Sequence, residues 1–121
     1  AMYRRALELN PNYEMAYYYL GDLLRNGRSE EALALHRKAA ELDPLSAGII
    51  TSTGRDLESL GRFDDALARY PRAIEVDPGF AQAYTSIGRD YWLVSGHLDE
   101  AVFWFAKGIS LDTGNPFNPL A

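Results

Sequence analysis

The chain has 121 residues, a net charge of −5, 47% hydrophobic and 24% charged residues, and no cysteine. Disulfides, thiolate chemistry and cysteine-ligated zinc are therefore excluded. The acid excess argues against general binding to nucleic acid or anionic membranes, which depends on Lys and Arg neutralising phosphates.

In chain order, residues 1–12, with Tyr3, Ala6 and Pro11, read as the second helix of an incomplete unit. A helix from about Tyr13 to Asn26 follows, with Tyr17, Leu20 and Leu24 on one stripe, and Gly27 closes it. The next helix spans about Ser29 to Leu42, with Ala32, Leu35, Ala39 and Leu42 at helical spacing. Ser29, followed by Glu30, reads as its capping residue. Pro44 ends it, because proline cannot continue the hydrogen-bond ladder. The same helix pair recurs over 47–80 and 81–114, and 115–121 reads as a tail or the start of a truncated further unit. The first complete unit is 13–46.

The recurrence is an internal repeat. Pro11, Pro44 and Pro78 stand 33 and 34 residues apart, and so do Gly21, Gly54 and Gly88. Ala32, Ala66 and Ala101 are spaced by 34 and 35. Glycine inside a helix costs about 1 kcal/mol relative to alanine, so its return in three first helices implies close helix packing, with the three alanines as matching small residues. Neither helix of a unit can bury its stripe alone, and successive hairpins must stack.

The sequence carries little chemistry. His36 and His97 fall in different units without a metal-binding spacing, so no metal and no cofactor is expected. The doublets Glu30-Glu31, Asp64-Asp65 and Asp99-Glu100 recur at second-helix starts, where negative charge complements the helix dipole. No catalytic residue and no enzyme is indicated. Pro71, deep in a second helix, should remove a bond to Leu67 and kink the helix on its outer face. Thr53 can bond back to a carbonyl one turn earlier, and His36 reads as a packed ring. No apolar run approaches the roughly 18 residues of a membrane span, and "AMYRRALELNP" lacks a signal-peptide pattern, so a cytoplasmic protein is expected.

In combination these residues resemble the tetratricopeptide repeat family. The first unit gives Tyr17, Leu20, Gly21, Leu24, Ala32, His36, Ala39 and Pro44. The second gives Ile50, Thr53, Gly54, Leu57, Ala66, Tyr70, Ala73 and Pro78. The third gives Tyr84, Ile87, Gly88, Tyr91, Ala101, Phe105 and Gly108, with Thr113 in place of proline. The resemblance implies an all-α, right-handed solenoid of stacked antiparallel helix pairs. It also implies a concave groove, lined by the first helices, that grips an extended peptide or helix of a protein partner.

One face of each first helix is free of the consensus core and supplies the candidate partner-binding residues: Tyr18, Tyr19, Asp22, Arg25, Arg55, Glu58, Gln82, Thr85, Arg89 and Trp92. Asp22–Arg55 and Arg25–Glu58 could pair between neighbouring helices as a self-satisfying ladder. Arg89 has no acidic partner in its row, and with Trp92 it is the leading pair, since Arg and Trp dominate binding hot spots. The carboxylate clamp of the chaperone-tail-binding subgroup is missing, its places being held by Tyr18, Asp22, Ser52, Gln82 and Ser86. The asparagine ladder of the glycosyltransferase type is missing too, at Tyr19, Ser52 and Ser86. Two alternatives stay open. Uncapped ends, with Phe103 and Trp104 near an edge, could join copies end to end as a homo-oligomer. Otherwise the chain is the docking or sensor part of a larger regulator or enzyme.

Overall fold

The computed structural model describes residues 14–111. Among the described residues six α-helices follow one another: α1 (Glu14–Leu24), α2 (Ser29–Leu42), α3 (Ala47–Ser59), α4 (Phe63–Val76), α5 (Ala81–Asp90) and α6 (Leu98–Leu111). A π-helical turn, Tyr91–Ser95, extends α5. The half unit with Tyr3, Ala6 and Pro11, and Thr113 with the 115–121 tail, lie outside the described residues.

Each helix pair forms because turn chemistry and apolar stripe agree. Gly61, at φ +78°, takes the left-handed conformation that other residues resist. Its N–H donates to Glu58 O and that of Arg62 to Leu57 O, a Schellman closure that satisfies the end of α3. Ser46 caps α3 by accepting from the Ile49 N–H at 3.2 Å. Ser29 does not act as the expected cap: it is the first residue of α2, and its hydroxyl donates to Arg25 O at 2.8 Å. The acidic doublets open α2, α4 and α6 as expected. Thr53 makes the expected back-bond to Ile49 O at 3.0 Å. α4 runs unbroken through Pro71, which is exposed.

Within each pair the first helix packs along the second, and the second helix packs on the next first helix. The core lies between these layers, built from Leu33, Leu57, Ala66, Tyr70 and Ile87, with Ala47, Ile50, Ala73 and Ala83 alongside. First helices also touch directly, through α3 on α5 and through side-chain bonds from α1 to α3. Open grooves part the second helices. A stack closed on one side and parted on the other curves, with α1, α3 and α5 inside.

Two of the three packing glycines face rings, whereas a Cβ at Gly88 would first meet Ala101 O at 3.0 Å, the small residue expected there. A Cβ at Gly21 would stand 2.5 Å from the His36 ring, and one at Gly54 2.5 Å from the Tyr70 ring. Both rings are fully buried, as are Ala32 and Ala66. Gly54→Ala is therefore expected to destabilise the protein by about 1–3 kcal/mol through overpacking, despite alanine's better helix propensity. Urea unfolding would measure the cost, and a stabilised variant would show that Tyr70 moves freely.

The units are not identical. From the packing glycine to the small alanine the interval grows from 11 (Gly21–Ala32) to 12 (Gly54–Ala66) to 13 (Gly88–Ala101). The π-helical turn accommodates the longest interval, since a π turn takes up an added residue without ending the helix. It leaves Trp92, Leu93 and Val94 exposed.

Candidate functional site

The inner helices meet at two joints, each centred on an aspartate that sequence patterning did not single out. Asp56 and Asp90 stand two residues after Gly54 and Gly88, and both are fully buried. Each faces back toward the preceding unit, and the two meet opposite charges there.

At the first joint Asp56 Oδ1 accepts from Arg25 Nε at 2.8 Å, and its Oδ2 pairs with His36 Nδ1. Arg25 Nη2 also bonds Asp22 Oδ1 at 2.8 Å. That oxygen receives Ser52 Oγ at 3.2 Å and lies 3.1 Å from His36 Nε2. His36 Nε2 is also 3.0 Å from Tyr18 O. Burial alone would favour the neutral imidazole, but hydrogen bonds and charges from Asp22 and Asp56 outweigh it and raise His36 to about 9. Asp22 is pushed upward by burial, yet the His36 hydrogen bond and the Arg25 and His36 charges hold it below its usual 3.8. His36 is thus packed as expected, but as a charged ring between two carboxylates.

At the second joint the residue opposite the aspartate is Glu58, not a cation. Arg89 reaches back from α5 to grip Glu58 with both forks, at 2.8 and 3.2 Å for Nη2. The Tyr70 hydroxyl donates to Glu58 Oε1. Burial and the Glu58 charge keep that phenol protonated. No hydrogen-bond donor reaches either Asp90 oxygen among the described residues. Burial first, and then the neighbouring Glu58, raise Asp90 to about 8 despite the Arg89 charge, which favours its protonated form at neutral pH.

These joints absorb much of the candidate strip. The ladder Asp22–Arg55 and Arg25–Glu58 does not form: Arg25 is taken by Asp22 and Asp56, and Glu58 by Arg89. Arg89 does have an acidic partner, contrary to expectation, because Glu58 lies one row away and one helix back. Thr85 bonds Gln82 O and lies against Gly108 of α6, where an added Cβ would meet its methyl at 2.6 Å. Tyr18 stacks on Tyr19 with centroids 5.2 Å apart and meets the His36 ring edge-on, while Gly48 leaves room for its hydroxyl. Of the candidate partner-binding residues, Tyr19, Arg55, Gln82 and Trp92 stay exposed. The Arg55 guanidinium has no ion pair or hydrogen bond among the described residues.

Trp104 does not stand at a free edge. It packs on the core beside Tyr84, with centroids 6.0 Å apart, and lines the groove between α4 and α6. Phe103 is exposed with Leu98 and Val102. Among the described residues no cluster could hold a metal ion, and no helix is long and apolar enough to cross a membrane.

Two family profiles, both described as tetratricopeptide repeat, match residues 2–34 and 51–116. A comparison with curated proteins finds no significant match. Among solved structures, "Crystal structure of MamA protein" superposes with a TM-score of 0.72 at 30% identity, covering 90% of this chain and 60% of that one. "MamA MSR-1 C2" superposes at 0.70 with 26% identity, covering 91% and 63%. The chain thus spans about three fifths of the length of these two relatives. "Second TPR of Spaghetti (RPAP3) bound to HSP90 peptide SRMEEVD" shares the fold at a TM-score of 0.72 and 18% identity, covering 82% of this chain and 92% of that one.

Proposed function

Since the chain belongs to the tetratricopeptide repeat family, we propose that it is a non-catalytic interaction module. On this reading it holds an extended peptide or a helix of a protein partner on the inner face of α1, α3 and α5. The observation that carries it is Arg55. It occupies the same register as Asp22 and Arg89, one residue after the packing glycine. Both of those are held by neighbours, while Arg55 alone of the three projects an uncompensated charge. Tyr19 on α1, and Gln82 and Trp92 on α5 and its π turn, supply exposed stacking and hydrogen-bonding groups on either side. Joints locked by buried ion pairs hold that surface preorganised, which lowers the entropic cost of binding. The joint residues Asp22, Arg25, Glu58 and Arg89 position the face, with Tyr18 and Thr85 packed at its base.

Selection from a displayed peptide library tests the reading. The wild-type chain should enrich a peptide class, and Arg55→Glu/Trp92→Ala should bind its members at least about thirtyfold more weakly, the effect of losing a hot spot worth about 2 kcal/mol. Circular dichroism would confirm that the variant is folded. Equal affinity for wild type and variant would move the site off the inner face.

A further inference from the structure

The outer grooves carry a second feature, independent of the inner face. Four of the described outer-helix cations have a carboxylate three residues on: Arg28–Glu31, Lys38–Glu41, Arg62–Asp65 and Arg72–Glu75. Lys107 on α6 does not, and neither do Arg37 and Arg69. The residues three positions on are Ala40 and Arg72, and the nearest helical carboxylates, Glu41 and Asp65, already serve Lys38 and Arg62. Both guanidinium groups are exposed and without a partner among the described residues.

They stand on facing helices, Arg37 on α2 and Arg69 on α4, and both line two adjoining depressions of about 400 and 270 Å³. The floor of the larger is apolar, with Ile50 and the methyl-bearing Thr53 from α3 and Pro44 at one end. Leu57 lies beneath the smaller. A volume near 400 Å³ suits one or two side chains and not a whole helix.

The repeat architecture does not require these charges. Aligning the units on Ala32, Ala66 and Ala101 puts Pro71 at the place of Arg37 and Trp104 at that of Arg69. The corresponding groove between α4 and α6, about 330 Å³, is lined by Leu67, Pro71, Ile74, Ile87, Tyr91 and Trp104, with Glu75 its one charged group. Two equivalent grooves therefore differ by the replacement of an apolar pair with two arginines. An unpaired guanidinium presents a planar fork that matches a carboxylate bidentately.

We infer that the groove between α2 and α4 is a second docking site, for an extended acidic peptide. An apolar side chain of that peptide enters the depression over Ile50 and Thr53, and flanking carboxylates meet Arg37 and Arg69. Its charge complements a basic groove on a chain that is otherwise acidic, at −5.

The test is fluorescence polarisation with a fluorescein-labelled Glu-Asp-Leu-Glu-Asp peptide, its Gln-Asn-Leu-Gln-Asn counterpart, and the acidic peptide with serine for leucine. The acidic, leucine-bearing peptide should bind saturably and more weakly as salt rises. The other two should bind at least tenfold more weakly. Arg37→Glu/Arg69→Glu should lose at least tenfold in affinity, whereas Lys107→Glu, an exposed cation of α6 outside this groove, should bind as wild type does. Circular dichroism would check each fold, and the milder Arg37→Gln/Arg69→Gln provides a second variant. No saturable binding, or equal binding by the Arg37/Arg69 variants, would overturn the assignment. So would loss only on Arg55→Glu, equal binding of the serine peptide, or self-association in sedimentation that the double variant abolishes, which would make the occupant a second copy.

Discussion

Arg25→Met is expected to lower the unfolding free energy by about 3–5 kcal/mol, the cost of leaving one member of a buried ion pair without its partner. The side chain of Arg25 is only 10% exposed and Asp56 is fully buried. Arg25, His36, Asp22 and Asp56 form a cluster of two positive and two negative groups. Removing Arg25 leaves two carboxylates on one imidazolium, and it also removes one of the ties that join α1 to α3. Methionine keeps most of the volume, so the loss reports charge more than packing. Arg25→Met/Asp56→Asn should cost less than the sum of the single changes, because the second substitution withdraws the stranded charge. Urea unfolding at pH 7 would measure all three variants. A loss under about 1 kcal/mol would put this pair in the class of exposed surface bridges.

Asp90→Asn is expected to stabilise the protein at pH 8 by at least about 2 kcal/mol and to flatten its pH dependence. The folded state raises Asp90 from 3.8 to about 8. Between those values the folded chain holds a proton that the unfolded chain has released. The contribution is therefore complete below about pH 4 and is lost as pH rises through 8, at up to about 1.4 kcal/mol per pH unit. Proton sharing with Glu58 makes the usable amount smaller than the whole window. His36 acts in the same direction: raised from 6.5 to about 9, its contribution is complete below 6.5 and lost through 9. Asp22, held below 3.8, contributes only above that value and loses its share in acid. Wild type should thus be most stable near pH 4–5 and weaken steadily toward pH 9. In Asp90→Asn the neutral amide carries no charge at any pH, leaving only the His36 decline above about 6.5. Unfolding free energies at pH 5, 6, 7 and 8 would decide it. Parallel curves for variant and wild type would show that Asp90 does not hold the proton.

The repeat was legible because three sets of small or helix-breaking residues recur at one spacing, and each needs its place for a steric reason that does not depend on neighbours. The backbone-dictated features followed: the helix at Ser29–Leu42, the Thr53 back-bond and the acidic helix starts all depend on residues within a turn or two. The joints were not legible in that way. Asp56 and Asp90 sit in otherwise helical text, and nothing local says that Arg25 or Glu58, about 31 residues earlier, would face them. Row-by-row alignment pairs residues at equal register, but the side chains reach diagonally, from four after one glycine to one or two after the next. That offset is why reading along rows leaves Arg89 unpaired and Arg55 paired, the reverse of what the structure holds. The signal was present in the recurrence of aspartate two places after Gly54 and Gly88. Trp104 misled for a related reason, since its neighbour Phe103 faces outward while it turns back on the preceding unit.

The charge reversal between the two joints also limits how such a chain could lengthen by copying its own segments. A tandem copy of residues 47–80 would set Glu58 against a new Asp56, with the new Arg55 standing where Arg89 now reaches back, and Tyr70 in place beside them. All the parts of the second joint would be reproduced. A tandem copy of residues 13–46 would instead offer Leu23 to Arg25 and His36, removing the buried one of the two carboxylates that both now share. The middle segment is the one that duplication can multiply, and the first is bound by its chemistry to a single successor.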